Sequence, residues 1–150
     1  MKPRLFAPLA LTLLLGGVPA VHAASLVEDA ASAAPVKIVY HVNDSGNAMA
    51  ALQNIRNHLN ASPDTRIVLV SHGKGIDFLL IGAEDKNGNP YEPIVQELKD
   101  RGADFRVCDN TLKSRKLDGS AVIHEATVVP SGVAEIGRLQ AREGYVYLRP

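Results

Sequence analysis

Five short apolar runs, spaced along the chain and separated by segments of helical periodicity or turn composition, constrain this sequence more than any other feature. They are VKIVYHV (36–42), RIVLVSH (66–72), DFRVC (104–108), ATVVP (126–130) and YVYL (145–148). Short β-branched runs bounded by turn signals read as buried strands. After the first run, Asp44 or Ser45 can cap a helix, and Met49, Leu52, Ile55 and Leu59 give it one apolar face before Pro63-Asp64 ends it. IDFLLIG suggests a short helix and EDKNGNP a surface turn. Pro93 suits a first helical position, with Ile94, Val95 and Leu98 facing inward and Gly102 as the stop. DNTLKSRKLDGS holds another short helix. Ser131 caps the last helix, with Val133, Ile136 and Leu139 inward and Gly144 ending it. Strands alternating with helices demand parallel pairing through right-handed crossovers. The expected fold is therefore α/β, a flavodoxin-like three-layer sandwich on a mainly parallel five-stranded sheet. Strand order is not legible from alternation.

The chain begins with a different kind of segment. Lys2 and Arg4 form a basic head, an apolar run follows from Leu5 to Leu15, and Gly16, Gly17 and Pro19 break it before Val21-His22-Ala23. That is the layout of a cleavable secretory signal peptide, so residues 1–23 are read as a leader and the mature protein as periplasmic or secreted. The apolar run is shorter than the roughly 18 residues of a spanning helix, and no membrane association is expected after cleavage. Residues 24–35, Ala/Ser-rich and aperiodic, read as a flexible lead-in to one domain at 36–150. The leader contains no acid, so the mature chain is left slightly acidic, and no basic block or tryptophan marks a nucleic-acid surface.

Chemistry is expected beyond the carboxyl ends of the strands, where open parallel sheets place their sites. The first strand ends at His41-Val42-Asn43, the second at Ser71-His72-Gly73 and the third at Cys108-Asp109-Asn110, where Cys108 is the only cysteine in the chain. An unpaired cysteine in an exported protein suggests a reactive thiol or intermolecular pairing. Cys108 precedes a helix start that Asp109 or Asn110 could cap, with Lys113 and Arg115 nearby, so an accessible and somewhat acidified thiolate is expected. HGKG (72–75) lacks the full spacing of a phosphate loop and is better read as a tight turn. His41, His72, His124 and Cys108 match no metal-ligand spacing, and His58 reads as a solvated helix residue. Neither a metal nor an organic cofactor is expected.

The stretches KIVYHVND, IVLVSHGKGIDFLL, ELKDRGADFRVCDNTLKSR and VVPSGVAEIGRLQAREGYVYLRP resemble the DsrE/DsrF family of small α/β sulfur-handling proteins, in its exported single-domain form. The most specific element is Cys-x-Asn-Thr directly after the third strand, Cys108 to Thr111. The resemblance implies a homo-oligomer and, at Cys108, the cysteine that accepts and passes sulfur as a persulfide. His72 is added as a candidate catalytic partner, and His41, Asn110 and Thr111 as candidate binding residues. On this reading the protein is a sulfur carrier, at most sulfurtransferase-like, and its partners are sulfur donor and acceptor proteins or small thiols. Two other classes stay open: an oligomeric module binding a small ligand or metal without catalysis, and a structural domain with an inert Cys108.

Overall fold

The computed structural model describes residues 34–150; the expected leader at 1–23 and most of the lead-in at 24–35 lie outside the described residues. Five strands form one sheet: β1 (Lys37–Val42), β2 (Arg66–Ser71), β3 (Asp104–Cys108), β4 (Ala126–Val129) and β5 (Val146–Leu148). Every pairing is parallel, in the order β4-β3-β2-β1-β5. The helices are α1 (Ala48–Ala61), α2 (Glu92–Asp100), α3 (Asp109–Ser114) and α4 (Gly132–Glu143), with 3-10 turns at Ser45–Asn47, Gly73–Leu79 and Gly119–Ala121. Among the described residues, no helix is long and apolar enough to cross a membrane.

The strand order explains the layering. From β1 to β4 the chain steps one way across the sheet, so right-handed crossovers place the intervening helices on one face. The last crossover runs back from β4 to the far side of β1 and places α4 on the other face. The order differs from the 2-1-3-4-5 of flavodoxin because the strand that crosses β1 is the last and not the second. On the first face Ile38, Tyr40, Ile67, Leu69 and Phe105 pack with Leu52, Ile55, Phe78 and Leu98 in the main core. On the second, Val39, Val68 and Val70 meet Ile136 and Leu139 of α4 in a much smaller cluster. Polar contacts supplement that thin layer: Arg106 of β3 pairs with Asp104 and with Glu135 of α4, which also holds Arg138.

Three expectations about side chains change. Val133 is exposed, because Gly132, Ile136 and Leu139 form the buried stripe of α4, with Val133 off to one side. His58 is half-buried and hydrogen-bonded to the Tyr40 hydroxyl at 3.2 Å, where a solvated residue was expected. Asp44 does cap a helix, but it is the 3-10 turn ahead of α1 whose Gly46 amide it accepts, at 2.9 Å.

Candidate functional site

Adjacent parallel strands whose outgoing loops turn to opposite faces leave a crevice between their carboxyl ends. β3 and β4 are such a pair. The chain leaves β3 into α3, whose Leu112 joins the main core, and leaves β4 toward α4 on the opposite face. Cys108 is the last residue of β3, in register with Val129, the last of β4. It therefore sits at the switch point, between the starts of α3 and α4.

The thiol is not accessible as expected: Cys108 is 4% exposed. The cover comes from the start of α4. A methyl group built on Gly132 would stand 3.2 Å from Cys108 Cβ, 3.3 Å from His72 Cβ and 3.3 Å from the Ser71 carbonyl oxygen. A side chain there would press on all three by a few tenths of an ångström, so the glycine eases the close approach that brings Cys108 and His72 against one point.

The acidification stands, with a different cause. Burial alone would push the Cys108 thiol up, but the Gly132 amide, the Thr111 hydroxyl and amide, and the Asn110 amide outweigh it and hold the thiol below its ordinary value. The expected cations do not contribute. Lys113 is tied to Asp109 at 2.7 Å, and Arg115 is paired with Asp77. Nor do Asp109 or Asn110 cap α3: Cys108 itself occupies the N-cap position, without a side-chain capping bond. Asn110 is exposed, and its backbone N–H donates to the Pro130 carbonyl at 3.3 Å. Thr111 Oγ1 accepts from the Gly73 amide at 3.0 Å, which ties the turn after β2 to the start of α3.

The two rim histidines meet each other. β1 and β2 are neighbours, and His41 Nε2 lies 2.7 Å from His72 Nε2 with the rings stacked, centroids 4.7 Å apart. The other nitrogen of His41 meets the Tyr147 hydroxyl at 2.6 Å. Two facing ring nitrogens can share one proton but cannot both carry one. A Tyr147–His41–His72 chain results, whose donor direction can run either way. No hydrogen bond joins His72 to Cys108, so His72 adjoins the thiol through packing against Gly132. Tyr147 was not anticipated; its only signal was an aromatic residue on the last apolar run.

This arrangement has a consequence for pH. Burial, then His72, then Arg149 pull the His41 pKa down, and burial pulls down that of His72. The unfolded chain therefore takes up protons below about pH 6.5 that the folded chain refuses. Stability contributed by the pair is complete above that pH and declines as the pH falls toward the lowered folded-state values. Urea midpoints measured from pH 7 to 5 should fall in the wild type and fall less in His41→Asn. Equal slopes would mean that the pair carries no such linkage.

The structure is a five-stranded, all-parallel α/β sandwich with Cys108 at its switch point. The chain belongs to the DsrE/DsrF-like family, whose model matches residues 26–150. Among solved structures it is similar to a protein of unknown function from Methanobacterium thermoautotrophicum, at 31% identity and a TM-score of 0.68, with 77% of this chain and 99% of that one covered. It is also similar in fold to the ychN protein from E. coli, at 12% identity and a TM-score of 0.62, covering 79% and 100% respectively. No curated protein matches the chain. Family membership points to sulfur metabolism at the level of the family.

Proposed function

We propose that the protein is a sulfur carrier in which Cys108 holds sulfur as a persulfide. The observation that carries this reading is the position of Cys108, the one cysteine of the chain, at the carboxyl end of β3, at the start of α3 and against Gly132 of α4, where its thiol is held below its ordinary value. Thiolate is the attacking species in sulfur exchange. Cys108–S⁻ attacks the terminal sulfur of a donor persulfide, R–S–SH; the donor S–S bond breaks and R–S⁻ leaves with the electron pair. Cys108–S–SH remains, and an acceptor thiolate later takes the terminal sulfur in the same way, releasing Cys108–S⁻. Atoms and electrons balance without an added oxidant. A second thiol close by would attack the Cys108 persulfide and close a disulfide, and the chain has none.

The buried thiol needs an approach. Thr111, which supports the thiolate, also lines an open groove with Gly73, Lys74, Asp77, Ser114 and Arg115. Intact mass spectrometry of the wild type after incubation with a persulfide donor tests the proposal: the chain should gain one sulfur atom, removable by reductant. A chain that stays at its original mass sinks the carrier reading and leaves the inert-cysteine one.

The setting is proposed with it. The basic head, apolar run and Val21-His22-Ala23 support export, and the exposed Val146, Tyr147 and Leu148 on the edge strand β5 support a homo-oligomer. Protein isolated from its host should begin within a residue or two of Ala24 and scatter light as a multimer. An intact Met1 on the folded protein would remove the first part, and a monomer mass the second.

A further inference from the structure

Away from the thiol, among the described residues, one buried side-chain polar atom has no partner. Glu125 is 3% exposed, and its Oε2 makes no hydrogen bond. Its other oxygen meets His124 Nε2 at 3.0 Å. Leaving a buried acceptor unpaired costs roughly 1–3 kcal/mol, so the atom calls for an explanation. Glu92 stands beside it, and Glu92, His124 and Glu125 each offer one ligand atom within 4.8 Å of the others. Together with Pro90, Pro93 and Gln96 they line one surface depression. Glu92 alone has an ordinary reason to be where it is, since a carboxylate in the first turn of α2 is favoured by the helix dipole. Glu125 has no such reason.

We propose that Glu92, His124 and Glu125 bind a divalent cation of the zinc class. One imidazole and two carboxylates make a mixed nitrogen and oxygen donor set; the imidazole favours zinc, nickel or iron over magnesium and calcium, and the absence of sulfur disfavours cuprous ion. Three protein ligands leave a fourth tetrahedral position for water or a small ligand. Bonds of about 2.0–2.2 Å place tetrahedral ligand atoms roughly 3.4 Å apart, a spacing that His124 and Glu125 already approach. Glu125 is fixed by burial and serves as the anchor. The remaining adjustment falls on exposed side chains, Glu92 and the 79% exposed His124. The site is separate from the thiol: Glu125 lies just before Ala126, whereas Cys108 pairs with Val129 at the far end of β4. At about 3.3 Å per residue the two are more than 10 Å apart along the strand.

Competition against a chromophoric chelator, on the untagged full chain, tests this. Wild type and Cys108→Ser should each bind one zinc ion per chain, while His124→Ala and Glu92→Gln should bind about tenfold more weakly or worse. Both substituted side chains are exposed, so circular dichroism should remain that of the wild type. Zinc should also raise the unfolding temperature of wild type and Cys108→Ser but of neither site variant. The proposal is overturned if the wild type binds no zinc, or if zinc is lost in Cys108→Ser and kept in His124→Ala. Tighter binding of magnesium or calcium than of zinc overturns the zinc-class assignment.

Discussion

Replacing Gly75 by alanine is expected to cost the domain about 3 kcal/mol or more, a large share of the roughly 5–15 kcal/mol that holds a domain folded. A methyl group at this position would lie 2.1 Å from the Val42 carbonyl oxygen, 2.6 Å from its carbon and 2.8 Å from Asn43 Cα. All three are backbone atoms, so no side chain can swing away. The Val42 carbonyl is held in turn by the His72 amide at 3.2 Å, and Gly75 donates to the His72 carbonyl at 3.0 Å. Relief therefore requires separating the carboxyl ends of β1 and β2, the ends that bring His41 against His72. Gly73 provides the comparison. Its φ of +58° lies in the left-handed region, but a methyl group there would meet only the Asn43 carbonyl oxygen at 3.5 Å, ordinary contact. Gly73→Ala should cost about 1 kcal/mol. Urea unfolding of both variants checks the order, and a Gly75→Ala midpoint close to that of Gly73→Ala would contradict the close approach.

Local pattern was enough to read the elements, and for a physical reason: each strand is a short β-branched run and each longer helix carries its own apolar stripe. DFRVC ends at Cys108 in the structure as it does in the sequence. The HGKG turn was legible too, since glycine spacing after a strand reports a backbone need. What local pattern does not carry is the order of the strands. The contact between His41 and His72 depends on β1 and β2 being neighbours, and Tyr147 reaches His41 only because β5 returns to the side of β1. The switch point at Cys108 is a property of the same order. Thiol burial was misjudged because the covering element, α4, begins more than twenty residues later in the chain. Gly132, directly after a capping serine, was the one local sign of a close approach there. The charges of Lys113 and Arg115 were misassigned because each is paired with a carboxylate, Lys113 with Asp109 and Arg115 with Asp77. Glu125 had no signal, since its burial follows from tertiary packing alone.

Cys108→Ser should abolish sulfur uptake. The loss should be complete and not partial, because no other cysteine exists in the chain and a serine hydroxyl neither ionises near neutral pH nor forms an oxygen–sulfur analogue of the persulfide under these conditions. The fold should persist, since the substitution keeps the shape of the side chain at the end of β3. That result alone would not separate a supported thiolate from any free thiol, so Thr111→Val is the sharper companion. It keeps the volume of Thr111, removes the hydroxyl that favours the thiolate, and leaves the Gly73 amide without its acceptor. A hydrogen bond to a charged group contributes about 1.5–3 kcal/mol, and roughly half of that loss is offset because a more basic thiolate is the better nucleophile, so sulfur loading at pH 7 should slow by roughly fourfold or more. The slowing should shrink at higher pH, where both proteins carry the thiolate, and the pH profile of alkylation by a neutral reagent should move upward in the variant. Equal loading rates and unmoved profiles in Thr111→Val would show that the donors around Cys108 do not tune its chemistry. Sulfur uptake by Cys108→Ser would place the chemistry elsewhere in the molecule.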